Sequence, residues 1–423
     1  MRNLASIVTV KEVWALKGKD RVQGASFVEN AYEAMIGKDI QVGELVAFIQ
    51  EGSILPETEH WEFLRKRCFK EGVGHVIRVQ KFKEIKSWGL VLKLNELGLD
   101  EKVYSKFKAG EDITDLLNIK KYEPAEDASP KAASKKAYPK WVKFCLSHTL
   151  TRWIGKIWQK FHTSEVGNFP SELISKSDET TIQNYQEALE KFADEKVYTT
   201  IKMEGQSVTA VLPLKNGRLG KFYVCSRNNA YKTPGNNDFW KYAKENDIEK
   251  KLINHYKKTG EALILQCEQC GPGIQKNIYK LVNLEWFVYT VKKQTKDGDC
   301  VQLPLNEMLN VVNELGLIPV PPIDEGTLKE IMPTIDAAVE YAEKRFWKIE
   351  KKQNKDGTEY LYRDLFYTPK KGEKLWEDYA QHEGVVVRSV NYDKDKNIGV
   401  SFKVKNIDYA EKGIDKIATI SWK

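Results

Sequence analysis

TTIKMEGQS, residues Thr199–Ser207, places a single lysine, Lys202, directly after a β-prone run that starts at Val197. Glu204 and Gly205 follow it closely. A strand that ends in Lys-x-acid-Gly holds one amine at the end of a rigid element, and the glycine lets the backbone turn tightly and approach a ligand. A solvated turn has the same local pattern, because surface lysines near glycine are common. The sequence downstream therefore has to decide between a turn and a site.

Short β-prone segments follow in the second half of the chain, and each carries a charge at its edge or charges that alternate with apolar residues. The segments are Ala262–Leu265 followed by Glu268–Asn277, then Trp286–Val291, Glu383–Arg388 and Ser401–Asn406. Successive side chains of a strand face opposite sides. We therefore expect Lys403 and Lys405 on one face of a strand, with Phe402 and Val404 directed into the core.

This ordered series resembles the signature of the covalent nucleotidyltransferase superfamily, which includes ATP-dependent DNA ligases, RNA ligases and mRNA-capping enzymes. The matching elements are KMEG for motif I, SRNN (Ser226–Asn229) for motif Ia, Glu268 for motif III, Phe287–Val291 for motif IIIa, EGVVVR for motif IV and KVK for motif V. The sequence GPGIQKN, which follows Glu268, is typical of the RNA ligase branch. The resemblance covers roughly residues 165–410.

The resemblance implies a role for each matching residue. The implied catalytic residues are Lys202, Lys403, Lys405, Glu383 and Arg227. The implied nucleotide-binding residues are Lys202, Glu204, Gly205, Glu268, Tyr289 and Phe287. Tyr289 would stack on adenine, with Phe287 as the alternative, although a core aromatic on a strand has the same pattern. Glu268 would accept hydrogen bonds from the ribose, and Arg227 would contact the nucleotide or the RNA phosphate.

Attack by a lysine on the α-phosphorus of ATP requires an uncharged amine. A free lysine has a pKa of about 10.4 and is almost wholly cationic at neutral pH. We expect two cations on one strand, Lys403 and Lys405, together with a metal ion, to lower the pKa of Lys202 and to neutralise the triphosphate. Glu383 is the predicted metal residue, acting through metal-bound water, and the implied cofactors are ATP and Mg²⁺ or Mn²⁺.

The composition sets bounds on the class of protein. With 423 residues, of which 41% are hydrophobic, the chain is long enough for two domains, each with its own core. Its 67 basic and 60 acidic residues give a net charge of +7, which is compatible with a nucleic-acid partner without requiring one. No apolar span approaches the ~20 residues that cross a bilayer, and the charged N-terminus is unlike a secretory signal. We expect a cytoplasmic monomer that binds no membrane.

Residues 1–120 are predicted to form a small β-rich domain. Alternating segments at Ile7–Leu16, Gln41–Ile49, His75–Phe82 and Gly89–Leu94 are separated by glycines, as in a closed barrel such as an OB-fold. The pieces QVGELVAF and SWGLVLKL resemble the OB domain that precedes the catalytic domain in Deinococcus-type RNA ligases. A basic, aromatic barrel face often binds nucleic acid, although a solvated face has the same composition. The predicted nucleic-acid contacts of the whole chain are Lys81, Lys83, Trp88, Lys276 and Arg388.

Residues 121–140 are rich in proline, alanine, serine and charge, which predicts a linker before a catalytic domain at 141–423. Trp141–Phe161 has apolar residues at helical spacing with basic residues between them. We expect a docking helix that buries its aromatic stripe, with a helix that contacts nucleic acid as the alternative. Asp178 and Glu179 are predicted to lie in the acidic first turn of a further helix.

Three features depart from the superfamily pattern. Ile201 precedes the nucleophile, where RNA ligases often carry an acid that reads the adenine amino group. Cys267 stands before Glu268, where glycine is frequent, and with Cys270 it forms a lone CxxC for which we expect packing rather than zinc binding. A basic, aromatic segment at 345–374 lengthens the interval between motifs IIIa and IV. It is either an added RNA-contacting hairpin or a solvated insertion.

The sequence as a whole predicts an α+β fold, with an N-terminal OB-fold β-barrel followed by a ligase-type nucleotidyltransferase domain of antiparallel sheets flanked by helices, unrelated to ATP-grasp. Eighteen residues follow Lys405, whereas DNA ligases and capping enzymes usually carry an OB domain after motif V, and this favours an RNA ligase. The predicted function is ATP-dependent sealing of 3′-OH and 5′-phosphate RNA ends at nicks, through lysyl-AMP and an adenylylated 5′-phosphate. The alternatives are a GTP-dependent capping-type guanylyltransferase, an ATP-dependent DNA ligase, and an inactive nucleic-acid-binding protein.

Overall fold

The computed structural model describes most of the chain, which forms two compact units. The described residues are 3–81, 85–122, 139–149, 151–162, 165–171, 173–174, 179–184, 187–215, 217–235, 237–275, 277–294, 300–354, 357–366, 379–391, 400–406 and 409. Unit 1 comprises Met1–Glu126, Thr180–Lys191 and Thr334–Asp336, and unit 2 comprises Asp127–Glu179, Phe192–Pro333 and Ala337–Lys423. The predicted linker lies mostly outside the described residues, so the domain limits 1–120 and 141–423 stay predictions.

Unit 1 begins with strands whose alternating side chains enclose an apolar core. In chain order they are β1 (Ala5–Ala15), β2 (Val22–Phe27), β3 (Ala34–Gly37), β4 (Leu45–Gln50), β5 (Ser53–Leu55), β6 (Phe69–Lys70), β7 (Gly74–Val76), β8 (Gln80–Lys81), β9 (Lys86–Ser87), β10 (Gly89–Lys93) and β11 (Lys120–Lys121). Short helices α1 (Arg65–Cys68) and α2 (Glu101–Tyr104) lie between them, with 3-10 turns at Glu59–Leu64 and Leu94–Glu96.

The main sheet of unit 1 is antiparallel and nearly closed. Its strand order is β10-β4-β1-β2-β3, and a second sheet has the order β11-β5-β7-β6. The amide of Trp88, next to β10, donates a hydrogen bond of 3.0 Å to the carbonyl of Glu33, next to β3, so the two outer strands approach each other. The predicted barrel is therefore confirmed.

Two strands of this barrel were not predicted from the sequence, and one predicted strand is divided. β2 contains Gly24, where a Cβ would lie 2.3 Å from the ring of Trp14 on β1, so glycine interrupts the apolar alternation for a packing reason. β3 has only four residues. The segment expected as one strand at His75–Phe82 forms the two short strands β7 and β8.

The remaining strands follow in the second part of the chain. They are β12 (Val166–Asn168), β13 (Thr180–Thr181), β14 (Lys196–Ile201), β15 (Gln206–Val211), β16 (Leu214–Lys215), β17 (Arg218–Leu219), β18 (Tyr223–Cys225), β19 (Asn229–Tyr231), β20 (Ala262–Cys270), β21 (Glu285–Gln294), β22 (Cys300–Gln302), β23 (Ile318–Pro319), β24 (Pro322–Thr327), β25 (Phe346–Gln353), β26 (Glu359–Asp364), β27 (Tyr379–Gln381), β28 (Gly384–Ser389) and β29 (Ser401–Lys405).

Helices accompany these strands in the same part of the chain. They are α3 (Lys140–Ser147), α4 (Arg152–His162), α5 (Glu187–Lys191), α6 (Asp238–Glu245), α7 (Ile248–Thr259), α8 (Leu305–Glu314), α9 (Leu328–Ile331) and α10 (Ile335–Glu343), with a 3-10 turn at Ile182–Asn184. Among the residues that the structure describes, no helix combines the length and apolar character needed to cross a membrane.

Two antiparallel sheets of unit 2 position the site. Sheet A has the strand order β12-β19-β18-β15-β20-β21-β22, with β23 parallel to β21, and sheet B contains the path β29-β28-β14-β24. One face of sheet A packs on α6, α7 and α8 through a cluster that includes Leu265, Trp286 and Leu252. The opposite face joins a second cluster, in which Phe287 of sheet A meets Ile201 of sheet B. The space between the two sheets therefore receives side chains from both.

Two sequence predictions about helices are corrected by the structure. The segment Trp141–Phe161 is a pair of helices, α3 and α4, because His148 has an extended backbone and the Ser147 hydroxyl donates to the carbonyl of Phe144. Glu179 is not in the first turn of a helix, since it directly precedes β13. Asp178 lies outside the described residues. The segment 345–374 does contain a hairpin, formed by β25 and β26, as far as it is described.

Candidate active site

Lys202 directly follows β14, at one end of the three adjacent strands β14, β28 and β29 of sheet B. Its amide donates a hydrogen bond of 2.9 Å to the carbonyl of Gly384, which begins β28. Gly384 is in turn the register partner of Lys405, the last residue of β29. The pairing of β14, β28 and β29 thus brings together residues from motifs I, IV and V that are far apart in the sequence.

The amine of Lys202 forms an ion pair with the carboxylate of Glu383. Burial lowers the pKa of Lys202, but the charge and hydrogen bond of Glu383, together with the charge of Glu268, raise it, and the net pKa is above the ordinary lysine value. Lys405 acts in the opposite direction and lowers it. The predicted lowering by neighbouring cations is therefore wrong for the protein without nucleotide, because the carboxylates outweigh Lys405.

Glu268 faces this group from sheet A. It lies near the end of β20, between Ser207 of β15 and Phe287 of β21, and directly opposed residues of antiparallel strands share a face. Burial raises the pKa of Glu268 to about 8, and the charge of Glu383 adds to the effect, whereas the charges of Lys202 and Arg227 oppose it. Glu383, Glu268 and Lys405 thus act on the charge of Lys202, and Arg227 acts on that of Glu268, so five residues predicted from separate motifs are electrostatically coupled through Lys202 and Glu268.

Close backbone packing explains both glycines of the site. A Cβ on Gly205 would lie 2.5 Å from the carbonyl oxygen of Gln269, because β15 starts against the end of β20. At Gly384 the backbone φ is +151°, and a Cβ would lie 2.1 Å from the carbonyl oxygen of Val404. Any side chain at either position would push apart the strands that carry Lys202 and its neighbours.

Tyrosine hydroxyls form hydrogen bonds with both the backbone and the side chain of Glu204. Its amide donates a hydrogen bond of 3.0 Å to the hydroxyl of Tyr279, and its carboxylate accepts one from the hydroxyl of Tyr409. The Tyr279 hydroxyl also lies 3.4 Å from Nδ1 of His382, and burial lowers the pKa of that histidine to about 3, so the ring is neutral. Sequence reasoning missed these three residues, since none matches a charged motif position.

The predicted nucleotide aromatics lie on the site face of sheet A. Phe287 is buried opposite Glu268. Tyr289, two residues further along β21, is half-buried, and its hydroxyl lies 3.5 Å from that of Ser207. The guanidinium carbon of Arg388 lies 5.3 Å from the centre of the Tyr289 ring. Of the two aromatics, Tyr289 has the more accessible ring.

Lys403 occupies a different position from Lys405, although the two share a strand face. It pairs in register with Val386 and is buried, and its charge helps to lower the pKa of Glu179. The electrostatic influences on Lys202 include Lys405 and both carboxylates, as described above. β29 therefore places Lys405 beside the amine of Lys202, whereas Lys403 lies two residues further along the strand and is buried.

Glu179 and Arg388 form a buried ion pair, with 2.5 Å between Oε1 and Nη2. Burial raises the pKa of Glu179, but the charges of Arg388 and Lys403 leave it below the usual value. The guanidinium of Arg388 is internal in this structure, and its predicted contact with nucleic acid stays a prediction. A buried charge in an apolar strand requires a partner, and this rule is the signal in the sequence that could have indicated an acidic partner for Arg388.

The other predicted nucleic-acid contacts divide into two groups. Trp88 is a core residue and not an exposed platform, since its ring stacks on Tyr32 with 5.5 Å between centres. Lys83, Lys276 and the side chain of Lys81 lie outside the described residues. Cys267 and Cys270 are buried thiols with pKa values raised by burial, as expected for packing.

Comparisons with known proteins agree with this geometry. Residues 195–405 match the model of the RNA ligase family, and residues 4–94 match that of an OB-fold domain. A sequence search of the curated proteins found no match.

Solved structures of an RNA ligase from Naegleria gruberi share the fold over nearly the whole chain. The structure with pyrophosphate has a TM-score of 0.63 and 21% identity, and covers 98% of this chain and 100% of that one. One with ATP and Mn gives 0.62 and 20%, with coverage of 96% and 98%, and one with AMP and Mn gives 0.64 and 21%, with coverage of 98% and 100%. The predictions of an OB domain and of a ligase enzyme are confirmed. The chain belongs to the RNA ligase family and carries an OB-fold domain ahead of its ligase domain.

Proposed function

We propose that the chain is an ATP-dependent RNA ligase that joins a 3′-OH to a 5′-phosphate through a covalent lysyl-AMP on Lys202. One observation carries the proposal. The amine of Lys202 lies between two sheets, paired with Glu383 and within the electrostatic influence of Glu268 and Lys405. This group unites a nucleophile, a cation and two carboxylates, which are the parts that nucleotidyl transfer requires.

ATP is the nucleotide that the comparisons favour. The similar Naegleria gruberi ligase has been solved with ATP and Mn and with AMP and Mn. In this chain the adenine would stack on Tyr289, and the ribose hydroxyls would donate hydrogen bonds to Glu268 in its ionised form. Ile201 offers no acid for the adenine amino group, so backbone groups would select the base.

In the first step Lys202 attacks the α-phosphorus of ATP. A P–N bond forms, the bond from the α-phosphorus to the bridging oxygen breaks, and pyrophosphate leaves. The ammonium has to lose its proton before the attack, and its ion pair with Glu383 opposes that loss. Once another cation neutralises Glu383, burial and the charge of Lys405 both favour the neutral amine.

Two further transfers complete the reaction. An oxygen of the RNA 5′-phosphate attacks the phosphorus of lysyl-AMP, the P–N bond breaks, and the amine of Lys202 regains a proton. The 3′-OH of the second end then attacks the activated 5′-phosphate and loses its proton to solvent, a phosphodiester forms, the P–O bond to the adenylyl group breaks, and AMP leaves. Arg227 and Lys405 are the cations of the site that would stabilise charge on these phosphates. A nicked duplex, which aligns both ends, is the proposed substrate.

A divalent metal fits the donor set. Among the described residues, no group of three or more His, Cys, Asp or Glu side chains is arranged to hold a metal. Mg²⁺ is often held instead by one or two carboxylates, water and substrate phosphates. Glu383 and Glu268 repel each other enough to help raise the pKa of Glu268, which is the charge excess that a cation relieves. Glu383 would hold the ion through water, and the ion supplies positive charge to the triphosphate.

Incubation with ATP labelled at the α-phosphate and Mg²⁺ or Mn²⁺ tests the proposal. We expect a labelled protein band that Lys202→Ala abolishes and that Lys196→Ala, a change at the exposed start of the same strand, retains. Addition of a nicked duplex with an RNA 3′-OH strand should discharge the label and yield joined product. Labelling by GTP but not ATP, or a label that persists in Lys202→Ala, would contradict the proposal.

A further inference from the structure

Helices α3 and α4 form a pair with unusually exposed large apolar side chains, three of them aromatic. Trp141, Phe144, Trp153 and Ile157 are 50%, 58%, 62% and 47% exposed, respectively. The pairing itself is ordered by an edge contact between Trp141 and Trp158, whose ring centres are 6.1 Å apart. The expectation that this segment buries its aromatic stripe is therefore wrong. Large aromatic groups left in water mark an interaction site more often than a structural one.

The same segment carries charge of a single sign. Residues 140–162 contain five basic residues, Lys140, Lys143, Arg152, Lys156 and Lys160, and no aspartate or glutamate. The chain as a whole is almost balanced, with 67 basic and 60 acidic residues. A uniformly basic segment in a nearly balanced chain indicates a polyanionic partner.

Exposed cations and exposed apolar groups occupy adjoining rows on α4. Arg152 and Lys156, both exposed, are four residues apart and lie on one row of the helix. Trp153 and Ile157, also four residues apart, lie on the neighbouring row, about 100° further round the helix axis. A phosphate held by one row therefore has the apolar ring of the other row beside it. We call the exposed residues Trp141, Phe144, Arg152, Trp153, Lys156 and Ile157 the hairpin surface.

We propose that the hairpin surface binds single-stranded RNA. Single strands combine phosphates, which pair with Arg and Lys, and unstacked bases, which stack on aromatic rings, so they match both rows at once. Protein interfaces are depleted of lysine, whereas this segment contains Lys140, Lys143, Lys156 and Lys160 and no acidic residue, which favours a polyanion over a protein partner. An anionic membrane surface also attracts basic and apolar residues, and binding to anionic vesicles is one of the outcomes that the test below measures. The idea that the bound strand is an unpaired part of the ligase substrate rests on the proposed function, whereas the binding itself does not.

Binding of a fluorescein-labelled single-stranded RNA to the full chain, followed by anisotropy at several salt concentrations, tests the proposal. Trp153→Ala and Phe144→Ala should each weaken binding about tenfold and leave its salt dependence unchanged, because base stacking carries no net charge. Arg152→Ala and Lys156→Ala should each reduce the slope of log K against log salt by about 0.7, since each removes one phosphate contact.

Matched controls come from elsewhere in the chain. Phe63 is 60% exposed, close to the exposure of Phe144, but it stands beside Glu62, and Phe63→Ala should leave affinity at the wild-type value. Lys257, exposed near the end of α7, is the control for removal of a charge. Equal losses in Phe63→Ala and Phe144→Ala would overturn the proposal. So would an unchanged salt slope in Arg152→Ala, or aromatic variants that alter self-association or binding to anionic vesicles while RNA affinity stays constant.

Labelling of the protein by α-labelled ATP, measured without RNA, separates this inference from the proposed function. Labelled wild-type protein, together with hairpin variants that bind RNA as well as wild type does, would refute the hairpin surface and leave the ligase assignment standing. If the wild-type protein takes no label from ATP, the ligase assignment is refuted. If Trp153→Ala nevertheless binds RNA more weakly than wild type, the hairpin surface is supported.

Discussion

The ammonium of Lys202 is ion-paired with the carboxylate of Glu383, which stands just before the strand that pairs with the Lys202 strand. This pair sets the charge state of the nucleophile, because the carboxylate raises the pKa that burial would otherwise lower. The protein without nucleotide therefore stores its nucleophile in the protonated, unreactive form. A change at Glu383 should be felt first in the chemistry of the lysine.

Glu383→Gln should make Lys202 more reactive toward an amine-modifying reagent in the absence of ATP. Loss of the carboxylate lowers the pKa of the amine, so a larger fraction is neutral at a given pH. Mass spectrometry of the Lys202 peptide after brief modification at pH 8 measures the rate. Glu325→Gln, which disrupts the ion pair of exposed Lys196 on the same sheet, is the control and should leave Lys202 unchanged. An equal rate in wild type and Glu383→Gln would contradict the structure.

Glu268→Gln should reduce the pH dependence of stability between pH 5 and 8. The pKa of Glu268 is raised from 4.5 to about 8 in the folded protein, so the folded state binds this proton more tightly than the unfolded state does. The free energy of unfolding contributed by Glu268 therefore falls as pH rises through this window, by a few kcal/mol at about 1.4 kcal/mol per pKa unit. Urea unfolding at pH 5, 6.5 and 8 measures the difference. Parallel curves for the two proteins would show that Glu268 ionises normally.

Gly384→Ala should destabilise the protein more than Gly205→Ala, and Gly326→Ala should have little effect. Gly384 combines a positive φ with a Cβ position 2.1 Å from a carbonyl oxygen, whereas Gly205 has only a close approach, at 2.5 Å. Overpacking of this kind costs about 1–3 kcal/mol, and backbone strain adds to it. Gly326, on β24 of the same sheet, has contacts no closer than 3.4 Å. Denaturant midpoints rank the three variants, and equal midpoints for Gly384→Ala and Gly326→Ala would refute the predicted ranking.

Arg388→Met should cost about 3–5 kcal/mol of unfolding free energy, because it leaves Glu179 buried without its guanidinium partner. The double variant Glu179→Leu with Arg388→Met should recover much of the loss, since no buried charge remains. Lys329→Met, which breaks the exposed pair with Asp194, should leave the unfolding midpoint near the wild-type value. Chemical unfolding of wild type, Glu179→Leu, Arg388→Met and the double variant checks the cycle, with Lys329→Met as the control. A double variant as unstable as the sum of the two single changes would show that the pair is not coupled.

Much of the site was predictable because its residues lie on strands. A period of two places Lys403 and Lys405 on one face, and the order of the motifs names Lys202, Glu268 and Glu383. Gly205 and Gly384 belong to the matched motifs I and IV. The structure explains why glycine is needed at both positions, because neighbouring strands approach closely there.

Other features were not predictable from local patterns. Glu179 is the partner of Arg388 although the two are 209 positions apart in the sequence, and the segment around Glu179 has no strong period. Tyr279 and Tyr409 hold Glu204 through hydroxyl groups that ordinary core tyrosines also carry. The exposed rings of Trp141 and Trp153 have helical spacing that is equally typical of a buried stripe.

The sequence by itself determined which residue types stand at strand ends and which side chains share a face, since both depend on neighbours along the chain. Only the tertiary structure decided the direction of the Lys202 pKa shift, the internal position of Arg388 and the exposure of the hairpin surface. These properties depend on burial and on charges brought in by strand pairing across long separations, and a linear pattern contains neither.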